Sequence, residues 1–141
     1  YGLIFGMQDG SHFYVLIVHP ESRYYYLVKV VGDDWPVLDY GYSTYISSYP
    51  YSTNHLKVKR DGNQIYAYVN GHLVASESDS SYIGSLYGGF YAESGPTAPA
   101  VVRFDDFQLN AAGTVTAVSE GFSSRGADRP ATGGLGSIWD Q

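Results

Sequence analysis

Hydrophobic and polar positions alternate with period two along most of the chain, most plainly over residues 56–76, LKVKRDGNQIYAYVNGHLVAS. Leu56, Val58 and Arg60 fall on one side of an extended strand and Lys57 and Lys59 on the other, while Ile65, Ala67 and Val69 oppose Tyr66 and Tyr68. That period belongs to a sheet with one face on a core and one towards water. Two turn signals, Asp61-Gly62 and Asn70-Gly71, divide the stretch, and each is expected to supply the positive φ angles of a tight hairpin. The segment is therefore expected to form a three-stranded meander. Its register is strongly specified, because a slip of one residue would bury the lysines.

The pattern extends in both directions. Residues 1–7 alternate, Gln8-Asp9-Gly10 turns the chain, and His12 to Val18 is apolar on both faces, as a strand at the centre of a sandwich would be. His19-Pro20-Glu21-Ser22 closes that strand, since proline donates nothing to a ladder. Residues 22–31 return with Tyr24, Tyr26, Val28 and Val30 opposite Tyr25, Leu27 and Lys29, and Gly32-Asp33-Asp34 is the next turn. Trp35 to Tyr40 reads as a short strand, residues 41–53 as an aromatic loop, Gly84 to Ala92 as a glycine-rich strand and residues 100–109 as the last strand of the body. No segment places apolar residues at i, i+3, i+4 and i+7 over three turns. Short strands at regular spacing predict an all-β, antiparallel sandwich.

From Asn110 the character changes. Thr114 to Val118 is one more β-branched run, and residues 119–141 are rich in Ser, Gly, Arg and Pro, with Phe122, Leu135, Ile138 and Trp139 as the large apolar groups. The expected division is a sandwich over 1–110 and an extended tail over 111–141.

Composition narrows the function classes. At 141 residues the chain is most simply one domain, able to bury roughly 68–70% of its unfolded surface without a staple. It has no cysteine, which removes disulfides and thiolate zinc sites. The net charge is −6 and the eight Lys and Arg are scattered, so nucleic acid is not an expected partner. Apolar runs such as Phe13 to Val18 are far shorter than the roughly 20 residues of a membrane helix, and no membrane insertion is expected. Fifteen tyrosines and seventeen glycines describe a turn-rich surface that uses aromatic hydroxyls in place of charge, as expected outside the cell or at its surface. The chain starts at Tyr1 in a strand-like sequence, the expected look of a processed or partial product.

Candidate chemistry is sparse. Glu77-Ser78-Asp79 begins like the paired-carboxylate strand of a retaining glycosidase, which sets two carboxyls about 5 Å apart, but a serine and a tyrosine stand where the second glutamate belongs. No catalytic residue is assigned. His12, His19, His55 and His72 show no metal-binding spacing, and no cofactor is expected. Asp33-Asp34, Asp79 and Asp105-Asp106 offer oxygen ligands that calcium accepts, but no EF-hand-like spacing supports a site and plain turn-forming aspartates are the favoured reading. Gly88-Gly89 suggests two backbones in close approach. Trp35, Tyr40, Tyr42, Tyr45, Tyr49 and Tyr51 are the candidate ligand-binding set, since flat rings carrying hydroxyls suit sugars and protein surfaces alike.

The N-x-L-x-V-x-R-D-G-N element at Asn54 to Asn63, Y-V-N-G at Tyr68 to Gly71 and F-D-D-F at Phe104 to Phe107 resemble the concanavalin A-like (laminin G-like) jelly-roll modules. The likeness is to the DUF1080-type, 3-keto-disaccharide hydrolase-like domains of bacterial secreted proteins, and it covers residues 1–109. It implies a recognition domain, often for glycans and usually non-catalytic. That pattern also places the first strands of both sheets before Tyr1, so the body is expected to have an open groove. Two functions follow as expectations. In the first, the chain is an extracellular structural subunit whose partners are other copies of itself. Thr114, Val115, Thr116, Ala117 and Val118 are then lent as a donor strand to the next copy, with Phe122, Leu135, Ile138 and Trp139 docking beside it in a filament. In the second, it is a carbohydrate-binding module that grips glycans with its aromatic loop.

Overall fold

The computed structural model describes residues 1–49, 52–84, 87–93, 101–109 and 114–122; Val101, Asp106, Leu109 and all of 114–122 are described through their backbone alone. The strands are β1 (Gly2–Asp9), β2 (His12–His19), β3 (Tyr24–Val31), β4 (Val37–Tyr42), β5 (Thr53–Asp61), β6 (Gln64–Val69), β7 (His72–Ser78), β8 (Tyr87–Tyr91), β9 (Val101–Leu109) and β10 (Thr114–Phe122). They form two five-stranded sheets in the orders β4-β3-β2-β1-β8 and β7-β6-β5-β10-β9. Each adjacent pair is antiparallel. The expected all-β sandwich is what the chain forms.

The meander presents the predicted face to the core. Leu56, Val58, Ile65, Ala67 and Val69 are buried against the first sheet, and Leu56 pairs with Val69 across the ladder. Each of the Leu, Val and Ile side chains among them contributes roughly 1.5–3 kcal/mol of burial. Asn70 and Gly71 both take positive φ (51° and 83°), as a type I′ turn between Val69 and His72 requires. The other hairpin corrects the expectation by one residue. Asp61 pairs with Gln64, so the turn is Gly62-Asn63, and positive φ falls on Gly62 (58°) alone. A glycine first and an ordinary residue second is the type II′ solution, which matches strand twist equally well.

Strand boundaries shift where pattern was weak. The strand expected at 35–40 runs from Val37 to Tyr42, because Trp35 and Pro36 lie in the connection after β3, and within the stretch expected at 84–92 the described strand is Tyr87–Tyr91.

The larger correction concerns the C-terminal strand. The run Thr114 to Val118, expected as a donor strand for the next copy, belongs to β10, which lies within its own chain's second sheet, between β5 and β9. Val115 pairs with Val58 on one side and Leu109 on the other, and Glu120 with Thr53 and Arg103. An open groove edged by unpaired backbone is satisfied most cheaply by the nearest strand, and β10 follows β9 directly in sequence. Residues 114–122 of the expected tail thus pair within the second sheet. Leu135, Ile138 and Trp139 lie outside the described residues.

The first sheet is apolar on both faces. Leu3, Phe5, Tyr14, Leu16, Val18, Tyr25 and Leu27 point into the sandwich and pack against the second sheet. Ile4, Phe13, Val15, Ile17, Val28 and Val30 form a separate cluster on the outer face, joined by Met7, Tyr26 and Tyr91. This fits the doubly apolar sequence of β2.

Candidate functional site

The outer face of the first sheet carries the aromatic groups. β4 is its edge strand, and residues two apart on a strand share a face. Tyr40 and Tyr42 thus stand on the same side, and the ladder sets them opposite Tyr26 and Tyr24 of β3. The Tyr26 and Tyr40 rings stack with centroids 5.9 Å apart and planes 9° apart. Tyr24 stacks on Tyr26 at 6.3 Å and meets Tyr42 edge-on at 6.2 Å, while His19 approaches the Tyr26 ring at 5.2 Å. The result is a tier of tyrosines on rigid backbone. Tyr40 and Tyr42 are 62% and 58% exposed, so its outer surface is open.

Trp35 extends the same face. It contacts Phe13 of β2 at 6.0 Å and Tyr91 of β8 at 6.0 Å, so the indole spans the sheet above the outer apolar cluster. Burial, helped by a hydrogen bond to Glu93, raises the Tyr91 hydroxyl to about 12.

The other candidate aromatics separate from this group. Tyr45 lies flat on His72, centroids 3.7 Å and planes 5° apart, at the turn between β6 and β7. Its loop is held by asparagines: buried Asn54 accepts from the Ser47 amide and donates to the Ser47 carbonyl, and Asn70 Nδ2 donates to the Tyr45 carbonyl. Tyr49 is 73% exposed, and Tyr51 lies outside the described residues. The structure therefore brings Tyr40 and Tyr42 together, puts Trp35 on the same face, and sets Tyr45 elsewhere. In the sequence Tyr24 and Tyr26 read as ordinary sheet residues. The signal was the matching spacing of 24/26 and 40/42 on strands joined by a short turn.

The candidate carboxylates play structural parts. Asp79 Oδ1 accepts from the Tyr14 hydroxyl at 2.6 Å and the Ser81 amide at 2.9 Å, and Oδ2 accepts from Lys29 Nζ at 3.3 Å. Arg60 donates to the Asp79 and Ser81 carbonyls and lies over the Tyr14 ring, 5.1 Å from its centre. Burial disfavours the charged carboxylate, but the Tyr14, Ser81 and Lys29 contacts outweigh it and hold its pKa below the ordinary range. Burial and the same carboxylate drive the Tyr14 hydroxyl the other way, upward. Together they latch the 79–84 connection across the end of the sandwich. Asp34 pairs through its backbone with Val31. Among the described residues no three His, Asp or Glu side chains gather where a metal ion would sit. Among the described residues no atom lies within 4 Å of where a Cβ at Gly89 would stand.

Searches with the chain find no matching family model, no matching curated protein and no matching solved structure.

Proposed function

We propose that the chain is a non-catalytic glycan-recognition module of the concanavalin A-like (laminin G-like) kind, acting outside the cell or at its surface. The tyrosine tier on β3 and β4 supports the reading. A sugar ring presents C–H faces and hydroxyls together, and a row of tyrosines answers both, with ring surface for the first and phenolic oxygen for the second. Side chains mounted on a paired ladder are ordered before the ligand arrives, so less entropy is lost on binding than with a mobile loop. This moves the ligand surface from the aromatic loop to the sheet face.

The strand-lending polymer asks for a free β10, whereas β10 pairs with β5 and β9 of its own chain. Glycan recognition makes no such demand. Titration calorimetry against a panel of soluble plant, bacterial and animal polysaccharides tests the reading. At least one glycan is expected to bind, and Tyr40→Ala and Tyr42→Ala each to weaken it by roughly tenfold, about 1.4 kcal/mol, with unchanged melting temperature. The same titrations with calcium and with chelator are expected to agree. Absence of binding across the panel, or binding indifferent to both substitutions, overturns the reading; sugar released from any bound glycan overturns its non-catalytic part.

A further inference from the structure

We infer that two copies of the chain join edge to edge through β4, antiparallel, with Gly41 on the two-fold axis. The argument starts from a hydrogen bond. The Ser43 amide donates to the Arg23 carbonyl at 2.9 Å, which fixes the phase of the β3–β4 ladder. Pairs two residues apart then repeat it: Gly41 with Tyr25 and Asp39 with Leu27 direct their backbone groups to each other. The intervening residues, Tyr40 and Tyr42, direct their N–H and C=O groups the opposite way, off the edge of the sheet. Among the described residues no strand lies on that side of β4.

Natural edge strands are guarded by lysines, prolines or inward charges. β4 holds no lysine or proline. Its one guard is the inward charge of Asp39, which is partly satisfied by the Tyr25 hydroxyl donating to it at 3.4 Å. Val37, Tyr40 and Tyr42 are 49%, 62% and 58% exposed.

The strand is also complementary to itself. Opposed residues of an antiparallel pair share a face, so Tyr40 must meet Tyr40 or Tyr42 of the second copy. Placing Gly41 opposite Gly41 sets Tyr40 against Tyr42 twice over, and the outward N–H and C=O groups of each then bond the other. Asp39 falls opposite Ser43, which avoids like charges in contact. The Gly41 pair occupies a non-hydrogen-bonded site, where Cα atoms come to about 4.5 Å and a residue without a side chain fits well. The product is a continuous sheet across both copies, with the tyrosine tier doubled in length. It would lengthen the glycan surface proposed above, but it rests on backbone geometry and stands without that proposal.

Sedimentation velocity over a dilution series tests it. The wild-type chain is expected to pass from monomer to dimer and stop there. Tyr42→Pro removes one outward N–H and no β3 bond, and is expected to stay monomeric; Tyr42→Ala keeps the N–H and is expected to dimerise while losing glycan affinity. The failure of each reading is thereby visible separately. Hydrogen exchange on the wild-type protein needs no variant: the Tyr40 and Tyr42 amides are expected to be protected at high concentration and to exchange freely on dilution. A wild-type monomer up to about millimolar concentration, a Tyr42→Pro dimer as tight as wild type, Tyr40 and Tyr42 amides indifferent to dilution, or filaments that depend on residues 123–141 overturns the inference.

Discussion

Asn70 Nδ2 donates to Asn54 Oδ1 across 2.9 Å, tying the turn between β6 and β7 to the start of β5. Asn54 is fully buried, and its amide is saturated: Oδ1 also accepts from the Ser47 amide at 2.8 Å, while Nδ2 donates to the Tyr1 hydroxyl at 2.8 Å and the Ser47 carbonyl at 3.1 Å. Asn54→Ala strands these partners in a site closed to water, and is expected to cost about 2–3 kcal/mol in urea unfolding. Asn54→Asp keeps both acceptor bonds but loses the donors and buries a charge, so it is expected to cost at least as much.

Acid should release the Asp79 latch. Its folded pKa lies below the ordinary 3.8, so the unfolded chain binds the proton more readily. The resulting stability is present above pH 3.8 and is lost as the pH falls through the lower folded value. Urea midpoints of wild type and Asp79→Asn should therefore differ at neutral pH and draw together below pH 4. Asp9, held at about 2 by its His12 hydrogen bond and the Ser11 amide, titrates in the same range, but it is present in both proteins and cancels.

Backbone conformation sets a second contrast. Gly62→Ala puts a side chain at φ 58° and is expected to cost about 1–2 kcal/mol. Gly10→Ala, also in a hairpin turn, meets no atom within 4 Å and is free of positive φ, so its midpoint should stay or rise slightly.

Truncation distinguishes a strand of the body from a tail. Ending the chain after Phe122 keeps the strand that β5 and β9 both pair with, and cooperative thermal unfolding should persist. Ending it after Asn110 uncovers two edges at once; circular dichroism is expected to show a lost or much broadened transition, with aggregation. Equal melting curves for the two would show β10 to be dispensable.

Period-two alternation revealed which side of each strand faces the core, because burial acts on every second side chain. That made the meander legible from Leu56 to Ser76 and exposed the doubly apolar character of β2. Alternation carries no information about which distant strand lies alongside, so the pairings of β1 with β8 and β5 with β10 were out of reach. The tyrosine tier was hidden for the same reason. It exists only once β3 and β4 are in register, and the bulge between Leu27 and Val28 helps to set that register. In the sequence Asn54 is one position of a motif; its work, pairing with both backbone groups of Ser47 across a loop, depends on a fold that local sequence does not encode.

Trp35, seated on Phe13 and Tyr91 and 43% exposed, gives the outer face an optical reporter of its own. The chain's other tryptophan is Trp139, so a Trp139→Phe protein emits from this one place. Whatever settles beside the indole changes the polarity around it, and the emission maximum then registers occupancy of the sheet without a label.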